Sequence, residues 1–384
     1  MEVYLDNAAT TVVNKNVIEL MTEIMSKDYG NPSSLHYKGI DAERYVKDAA
    51  ETISKTLKVK PKEILFTSGG TESNNTAIIG ACNAKKRRGR HIVTTAIEHA
   101  SVQSVMKYLA SEGFEITYVN CDSNGVVSKE AVKEALREDT VLVSVMYVNN
   151  EIGSMMDIAG ISSVIKEYNN DIIFHVDAIQ AYGKIKIYPK KLGIDLMSAS
   201  GHKFHGPKGT GFLYINEKVK ITPLIYGGGQ QGGMRSGTEN VPGIAGLALA
   251  AFDSYESIDS VSEKLYSLKD YFIDKVTSID GVYVNSKKGK DSAMHIISVS
   301  CPGFRSEVLL HALEDKGVYV SSGSACSSNK QNVSATLKAM GLAADRLEST
   351  VRFSMCDKTT KEELDFAYEA LKDVIAKFRV IKQR

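Results

Sequence analysis

The chain lacks an excess of charge of either sign. Its 384 residues carry 47 Lys and Arg against 46 Asp and Glu, a formal net charge of +1. General binders of nucleic acid or of acidic membranes carry a basic surplus, so those classes are excluded. Long apolar runs are missing too: the richest stretch, 244–252, has the length of a core helix and not of a membrane span. Cysteine is sparse, with Cys82, Cys121, Cys301, Cys326 and Cys356 odd in number and widely spaced, which argues against a disulfide framework. Met1-Glu2-Val3-Tyr4-Leu5-Asp6 has neither the basic nor the apolar region of a secretory leader. A reducing, cytoplasmic setting is therefore expected, in which a thiol is either packing or chemistry. Repeats, low-complexity tracts and heptads are absent. So are the dinucleotide fingerprint and the P-loop, because the stretch 201–206 runs into Pro207 instead of Lys followed by Ser or Thr. A zinc reading of His202 and His205 fails for want of a cysteine pair or third ligand at suitable spacing.

What is present is strands alternating with amphipathic helices, the pattern of an α/β sheet. Short apolar runs at 64–66, 92–95, 116–119, 141–148, 172–176, 196–199 and 211–215 read as strands, and 100–112, 129–136 and 158–168 carry helical spacing. The runs are continuously apolar, as parallel strands covered on both faces must be. From about residue 256 the texture changes to a helix over 257–280, strands near 282–284, 294–299, 318–320 and 351–353, and helices over 307–316, 333–341 and 360–379. The last is opened by a Thr-Lys-Glu-Glu capping pattern. The expected layout is a large α/β domain over 16–255 with a mostly parallel central sheet, and a smaller α+β domain built from 1–15 with 256–384.

Five of these strands end in polar clusters. They are Gly69-Gly70-Thr71-Glu72-Ser73-Asn74, Glu98-His99, Asn149-Asn150-Glu151, Asp177 with Gln180, and Ser200-Gly201-His202-Lys203. One such cluster is only where a strand meets water; five on the carboxyl edge of one sheet make a ligand site. Gly69-Gly70-Thr71 before a helix offers a phosphate seat, although a plain tight turn has the same composition. Lys203, among small residues and two histidines, is a candidate Schiff-base amine, and Asp177 ends the preceding strand. Pyridoxal phosphate needs an anion seat, a carboxylate at its ring nitrogen and a lysine at its aldehyde, though spacing alone does not choose it over another phosphate ester. His99 suits ring stacking, proton transfer or capping of the helix after it.

Ser321-Ser322-Gly323-Ser324-Ala325-Cys326-Ser327-Ser328-Asn329-Lys330 cannot pack and is expected as an exposed loop. A thiol there differs from Cys82, inside a helix, and Cys301, at a strand end, both read as packing. Cys326 is the candidate nucleophile. The run Lys85-Lys86-Arg87-Arg88-Gly89-Arg90 could touch an acidic partner or tRNA, but reads better as a solvated helix end.

These residues together resemble the cysteine desulfurases, of the class V aminotransferase fold among fold-type I pyridoxal-phosphate enzymes. The resemblance runs nearly the whole chain, through Tyr4-Leu5-Asp6-Asn7-Ala8-Ala9, Gly30-Asn31-Pro32-Ser33-Ser34, Thr67-Ser68-Gly69-Gly70-Thr71-Glu72-Ser73-Asn74, Glu98-His99, Asn149-Asn150-Glu151, Val176-Asp177-Ala178-Ile179-Gln180, Ser200-Gly201-His202-Lys203, Arg235-Ser236-Gly237-Thr238, Gly323-Ser324-Ala325-Cys326 and Val351-Arg352-Phe353-Ser354. It implies that Lys203 carries pyridoxal 5′-phosphate and later moves protons. It further implies that Asp177 pairs with the ring nitrogen, Gln180 with the ring hydroxyl, and that His99 stacks on the ring. Gly70, Thr71, Ser200 and His202 would hold the phosphate, with Thr238 reaching in from the partner of a homodimer. Asn150 and Arg352 would grip the carboxylate of L-cysteine. Cys326 would take its sulfur as a persulfide, releasing alanine, for an acceptor protein serving iron–sulfur assembly or tRNA thiolation. No resident metal is implied, beyond transient iron–sulfur ligation by Cys326. Three residues depart from the family's pattern: Cys356 stands for a usual Gly, Val333 for a Pro and Gln231 for a Glu. The long stretch after Cys326 resembles the long-loop subgroup that serves iron–sulfur scaffolds. Selenocysteine lyase or cysteine-sulfinate desulfinase chemistry, and a non-catalytic platform, are the competing readings.

Overall fold

A computed structural model describes residues 1–322 and 334–382, with side chains to 377. Cys326, Val333 and the stretch between lie outside the described residues. The chain opens on β1 (Val3–Tyr4) and helices α1 (Lys15–Lys27) and α2 (Tyr37–Leu57). Next come β2 (Ile64–Thr67), α3 (Gly70–Lys85), β3 (His91–Thr95), α4 (Ala100–Ser111), β4 (Glu115–Val119), α5 (Lys129–Ala135) and β5 (Thr140–Met146). After them follow α6 (Ile158–Tyr168), β6 (Ile173–Asp177), α7 (Pro189–Leu192), β7 (Leu196–Ser200) and β8 (Gly211–Ile215). These seven strands form one sheet in the order β2-β8-β7-β6-β5-β3-β4, parallel except for β8.

Alternate side chains feed opposite faces, because successive residues of a strand point opposite ways. Phe66, Val93, Phe174 and Phe212 join one core, with Ile53 of α2 and Ile161 of α6. Their neighbours Leu65, Ile92, Ile173 and Leu213 join another, with Ile78 of α3 and Val105 of α4. Covered faces explain the unbroken apolar runs.

The strands lie within about two residues of the expected spans, but the helix expected to begin at 257 does not. It is the second half of α8 (Val241–Thr277), 37 residues long, which passes residue 255 without a break. Asn240 caps its start, its Oδ1 accepting from the Gly243 N–H at 3.1 Å. Its first half packs Ile244, Leu247 and Ala251 into the large sheet's core, and its second packs Leu265, Phe272 and Val276 into a separate core.

That second core serves β9 (Tyr283–Val284), β10 (Ile296–Ser300), α9 (Ser306–Glu314), β11 (Val318–Tyr319), β13 (Thr350–Ser354) and α12 (Lys361–Lys382), beside β12 (Ser321–Ser322), while α10 (Ala335–Ala339) and α11 (Ala344–Leu347) pack Leu337 and Leu347 with Ile152 in a small separate cluster. The sheet order is β12-β13-β10-β9, and β1 pairs in parallel with β11. The capping box before α12 forms as read: the Thr360 N–H donates to Glu363 Oε2 at 2.8 Å and the Glu363 N–H to Thr360 Oγ1 at 3.2 Å. The N-terminal segment is stitched to the C-terminal strands, with Val3 N–H on the Gly317 carbonyl, Leu5 N–H on Tyr319 and Asn7 N–H on Ser354.

Candidate active site

Parallel strands put their carboxyl ends on one edge, and β2, β3, β5, β6 and β7 deliver their polar clusters there. A cavity of about 820 Å³ opens at that edge, lined by Gly70, Thr71, Glu98, His99, Asn150, Asp177, Gln180, Ser200, His202, Lys203 and Arg352. Eleven of the expected site residues or their close neighbours therefore converge. Thr238 does not: it is exposed and does not line this chain's cavity.

At the seat of α3, Gly69 has φ 145°, a conformation left to glycine. A Cβ on Gly70 would stand 2.2 Å from Ile179 Cδ1, so the first turn of the 16-residue helix is open only because that residue has no side chain. Its free N–H groups and the positive end of the helix suit a phosphate.

Asp177 is 4% exposed and is held from both sides, accepting from Asn74 Nδ2 at 2.8 Å and from the Ile179 N–H at 3.0 Å. Asn74 also donates to Ser101 Oγ at 2.9 Å, which contacts His99 Nδ1 at 2.9 Å. That ring nitrogen accepts from the Ser101 N–H at 3.2 Å, so His99 does cap α4 while lining the cavity. Burial pulls its imidazole below the ordinary range, with Asp177 opposing and Lys203 adding to the shift. Burial and the Lys203 charge take His202 down to about 4, so that ring is neutral.

Lys203 Nζ donates to the carbonyls of Ala8 at 2.8 Å and Ala9 at 2.7 Å. Gln180 donates to the same Ala8 carbonyl at 2.9 Å, and its Oε1 lies 3.2 Å from His295 Nε2. Arg352, 7% exposed, donates from Nη1 to the Asn150 carbonyl at 2.7 Å and from Nη2 to Asp6 Oδ1 at 2.8 Å. Its Nε is buried without a hydrogen-bond partner among the described residues. A buried guanidinium donor left unpaired fits a carboxylate ligand.

Glu98 is the residue the sequence named without giving it a task. Burial, with the Asp177 charge, pushes its carboxyl up to about 8 against the pull of Thr95 and the Met146 N–H. Oε1 takes both of those bonds, at 2.6 and 2.8 Å, and Oε2 has no partner. At neutral pH it is an acid holding a proton at the cavity wall. Asn74 was legible inside the Gly-Gly-Thr-Glu-Ser-Asn motif, and only its bond to Asp177 assigns it a role. Nothing local in the sequence marks the Ala8 and Ala9 carbonyls or Asp6 as partners of Lys203, Gln180 and Arg352.

The other singled-out residues separate cleanly. Cys82 and Cys301 are buried, as packing thiols should be. The basic run ends α3 in the open, where Arg88 pairs with Asp171 at 2.8 Å. Gln231 donates to the Phe66 carbonyl at 2.9 Å while accepting the Phe66 N–H at 2.7 Å. A glutamate would lose the first bond, so this departure from Glu clips β2 from both sides. A lysine, a buried carboxylate on the adjacent strand, an open helix start and an unpaired arginine donor in one cavity fit pyridoxal phosphate carrying an amino acid.

Residues 3–366 match the model of the class-V aminotransferases. The chain is 43% identical to a cysteine desulfurase IscS of Dictyoglomus turgidum over 99% of this chain and 96% of that one. It is 44% identical to a putative cysteine desulfurase IscS 1 of Bacillus subtilis, over 97% and 98% respectively. A solved NifS-like protein superposes with a TM-score of 0.92 at 38% identity, covering 98% of this chain and all of the other. The chain thus belongs to the class-V aminotransferase family and, within it, to the pyridoxal-phosphate-dependent cysteine desulfurases.

Proposed function

We propose that the cavity residues divide the desulfurase reaction as follows. Lys203 carries the cofactor, Asp177 holds the pyridine nitrogen protonated, Gln180 meets the ring hydroxyl and His99 lies on the ring face. Gly70, Thr71, Ser200 and His202 hold the phosphate. When bound, pyridoxal phosphate supplies an electron sink that weakens bonds at the α-carbon of an amino acid and, for cysteine, the bond between β-carbon and sulfur. Asn150 and Arg352 orient the substrate by its carboxylate, so that Lys203 reaches the α-proton and can return a proton to the β-carbon. Cys326 takes the sulfur: the carbon–sulfur bond of L-cysteine breaks, a sulfur–sulfur bond forms on Cys326, and L-alanine leaves.

The observation that carries this reading is the placement of Lys203, Asp177 and Arg352 around one cavity with the bare start of α3. Residues 16–255 would hold the cofactor, and 1–15 with 256–384 would supply Arg352 and the thiol. Large apolar side chains stand exposed near α1 and α2, with Leu35 96%, Tyr37 87% and Tyr29 73% exposed, together with Tyr226 at 74%. Such surface supports a homodimer in which Thr238 completes the partner's phosphate seat. The sulfur acceptor would be an iron–sulfur scaffold or tRNA-thiolation protein in the cytoplasm, with any iron–sulfur ligation by Cys326 transient. No helix among the described residues is long and apolar enough to cross a membrane.

The test is direct. Cys326→Ala protein keeps the yellow cofactor but loses sulfide release from cysteine, and mass spectrometry of the unsubstituted protein after cysteine locates one added sulfur on Cys326. Lys203→Ala protein is colourless and borohydride traps nothing on it. Undiminished sulfide from the Cys326→Ala protein would overturn the thiol's role, and turnover of selenocysteine or cysteine sulfinate alone would favour that chemistry instead.

A further inference from the structure

Sequence spacing gives His205 no metal partners, yet the fold brings two from the far end of the chain. His205 follows the lysine-bearing turn, is buried, and has a left-handed backbone with φ 65°. Its Nδ1 lies 2.8 Å from the Val12 carbonyl, which can only accept, so Nδ1 carries a proton and Nε2 is the ring atom left to take a metal. Nε2 stands 2.9 Å from Asp357 Oδ1, an atom sealed from water that pairs with the ring whenever a second proton sits on Nε2. Cys356 Sγ completes three donor atoms lying within 4.8 Å of one another. At that distance imidazole and carboxylate need a positive charge between them, and either a proton on Nε2 or a metal ion in its place supplies it.

We propose that His205 Nε2, Cys356 Sγ and Asp357 Oδ1 form a zinc site, with water as the fourth ligand. Nitrogen, oxygen and sulfur in one tetrahedral set, at about 2.0–2.3 Å, is zinc's preference among common divalent ions. Those bond lengths put tetrahedral ligand atoms about 3.4–3.6 Å apart, so Asp357 moves back by about half an ångström and Cys356 swings in. The fourth position faces a cavity of about 100 Å³ lined by Asn14, Lys184 and Asp253, with room for water. Lys184 supplies the opposing charge there, but its Nζ is turned to the Lys203 carbonyl at 2.7 Å, and burial lowers its amine to about 7. On ligation the Cys356 proton, and any proton on His205 Nε2, leaves to solvent, and thiolate and carboxylate together balance the ion's two charges. An occupied site ties residue 205, two past Lys203, to the turn just past the strand that carries Arg352.

The Cys326→Ala protein removes the competing thiol and keeps its cofactor. Incubated with zinc and dialysed, it retains one equivalent per chain, and X-ray absorption at the zinc edge reads one sulfur at about 2.3 Å with nitrogen and oxygen at about 2.0–2.2 Å. Zinc also raises its thermal midpoint. Adding Cys356→Ser or the isosteric Asp357→Asn weakens binding about tenfold or more with the cofactor's visible absorption unchanged. No retained zinc, a shell without sulfur, or binding indifferent to both substitutions would overturn the site. None of these readouts uses turnover, so they stand apart from the desulfurase assignment.

Discussion

Glu98 shows how one side chain is set by where its strand ends. Its carboxyl is buried, close enough to Asp177 to feel that charge, and keeps its proton to about pH 8. A carboxyl whose proton is held more tightly folded than unfolded contributes stability that is complete below its unfolded value, about 4.3, and is lost as pH rises through about 8. Glu98→Gln preserves Oε1 for Thr95 and Met146 and replaces the proton with an amide that does not titrate. Thermal unfolding of the wild type is therefore expected to weaken between pH 6 and 8.5 more steeply than that of Glu98→Gln; matching slopes would place the proton elsewhere. Much at this scale was legible: Lys203, Asp177 and Gly70 were named from residue type and position, and Arg352 from the family resemblance. The sequence could not show that Glu98 Oε2 and Arg352 Nε are left unpaired, since that depends on what the fold brings near them.

Elements of the large sheet are joined by more than their ladders. His175 of β6 contacts Ser144 Oγ of β5 at 2.9 Å and Ser198 Oγ of β7 at 3.0 Å, one buried ring bridging three strands below Asp177. Burial drops its imidazole to about 3, so it is neutral in the fold. Because the unfolded ring titrates near 6.5, the stability this imparts is present above that pH and declines as pH falls toward about 3. His175→Gln should be less stable by about 1–3 kcal/mol at pH 7.5, where one of the bridging bonds is lost. The gap should narrow at pH 5, and a gap that widens on acidification would contradict the neutral ring. Strand positions were readable because burial on both faces leaves only apolar types along them. The continuity of α8 was not, since Ser254, Ser257 and Ser260 break its apolar texture while remaining compatible with a helix.

Across the whole molecule, α8 is the member shared by two cores, from Ile244 and Leu247 in one to Phe272 and Val276 in the other. A proline at exposed Ser260, midway along it, removes one backbone bond and crowds the preceding turn, costing about 3 kcal/mol. Calorimetry of Ser260→Pro should show the single unfolding transition split or broaden, with cofactor release tracking only the part around residues 16–255. One sharp transition at a lower temperature would mean the two cores are joined by other contacts. The fold class was plain from alternating strands and helices, while contacts between residues near 5 and near 354 lie beyond any local pattern.

Those stitches between the chain's two ends have a consequence for biosynthesis. Val3, Leu5 and Asn7 leave the ribosome long before their partners Gly317, Tyr319 and Ser354 emerge. The Ala8 and Ala9 carbonyls that receive Lys203 are thus anchored late, and a nascent chain can complete the large sheet well before its lysine has a finished seat.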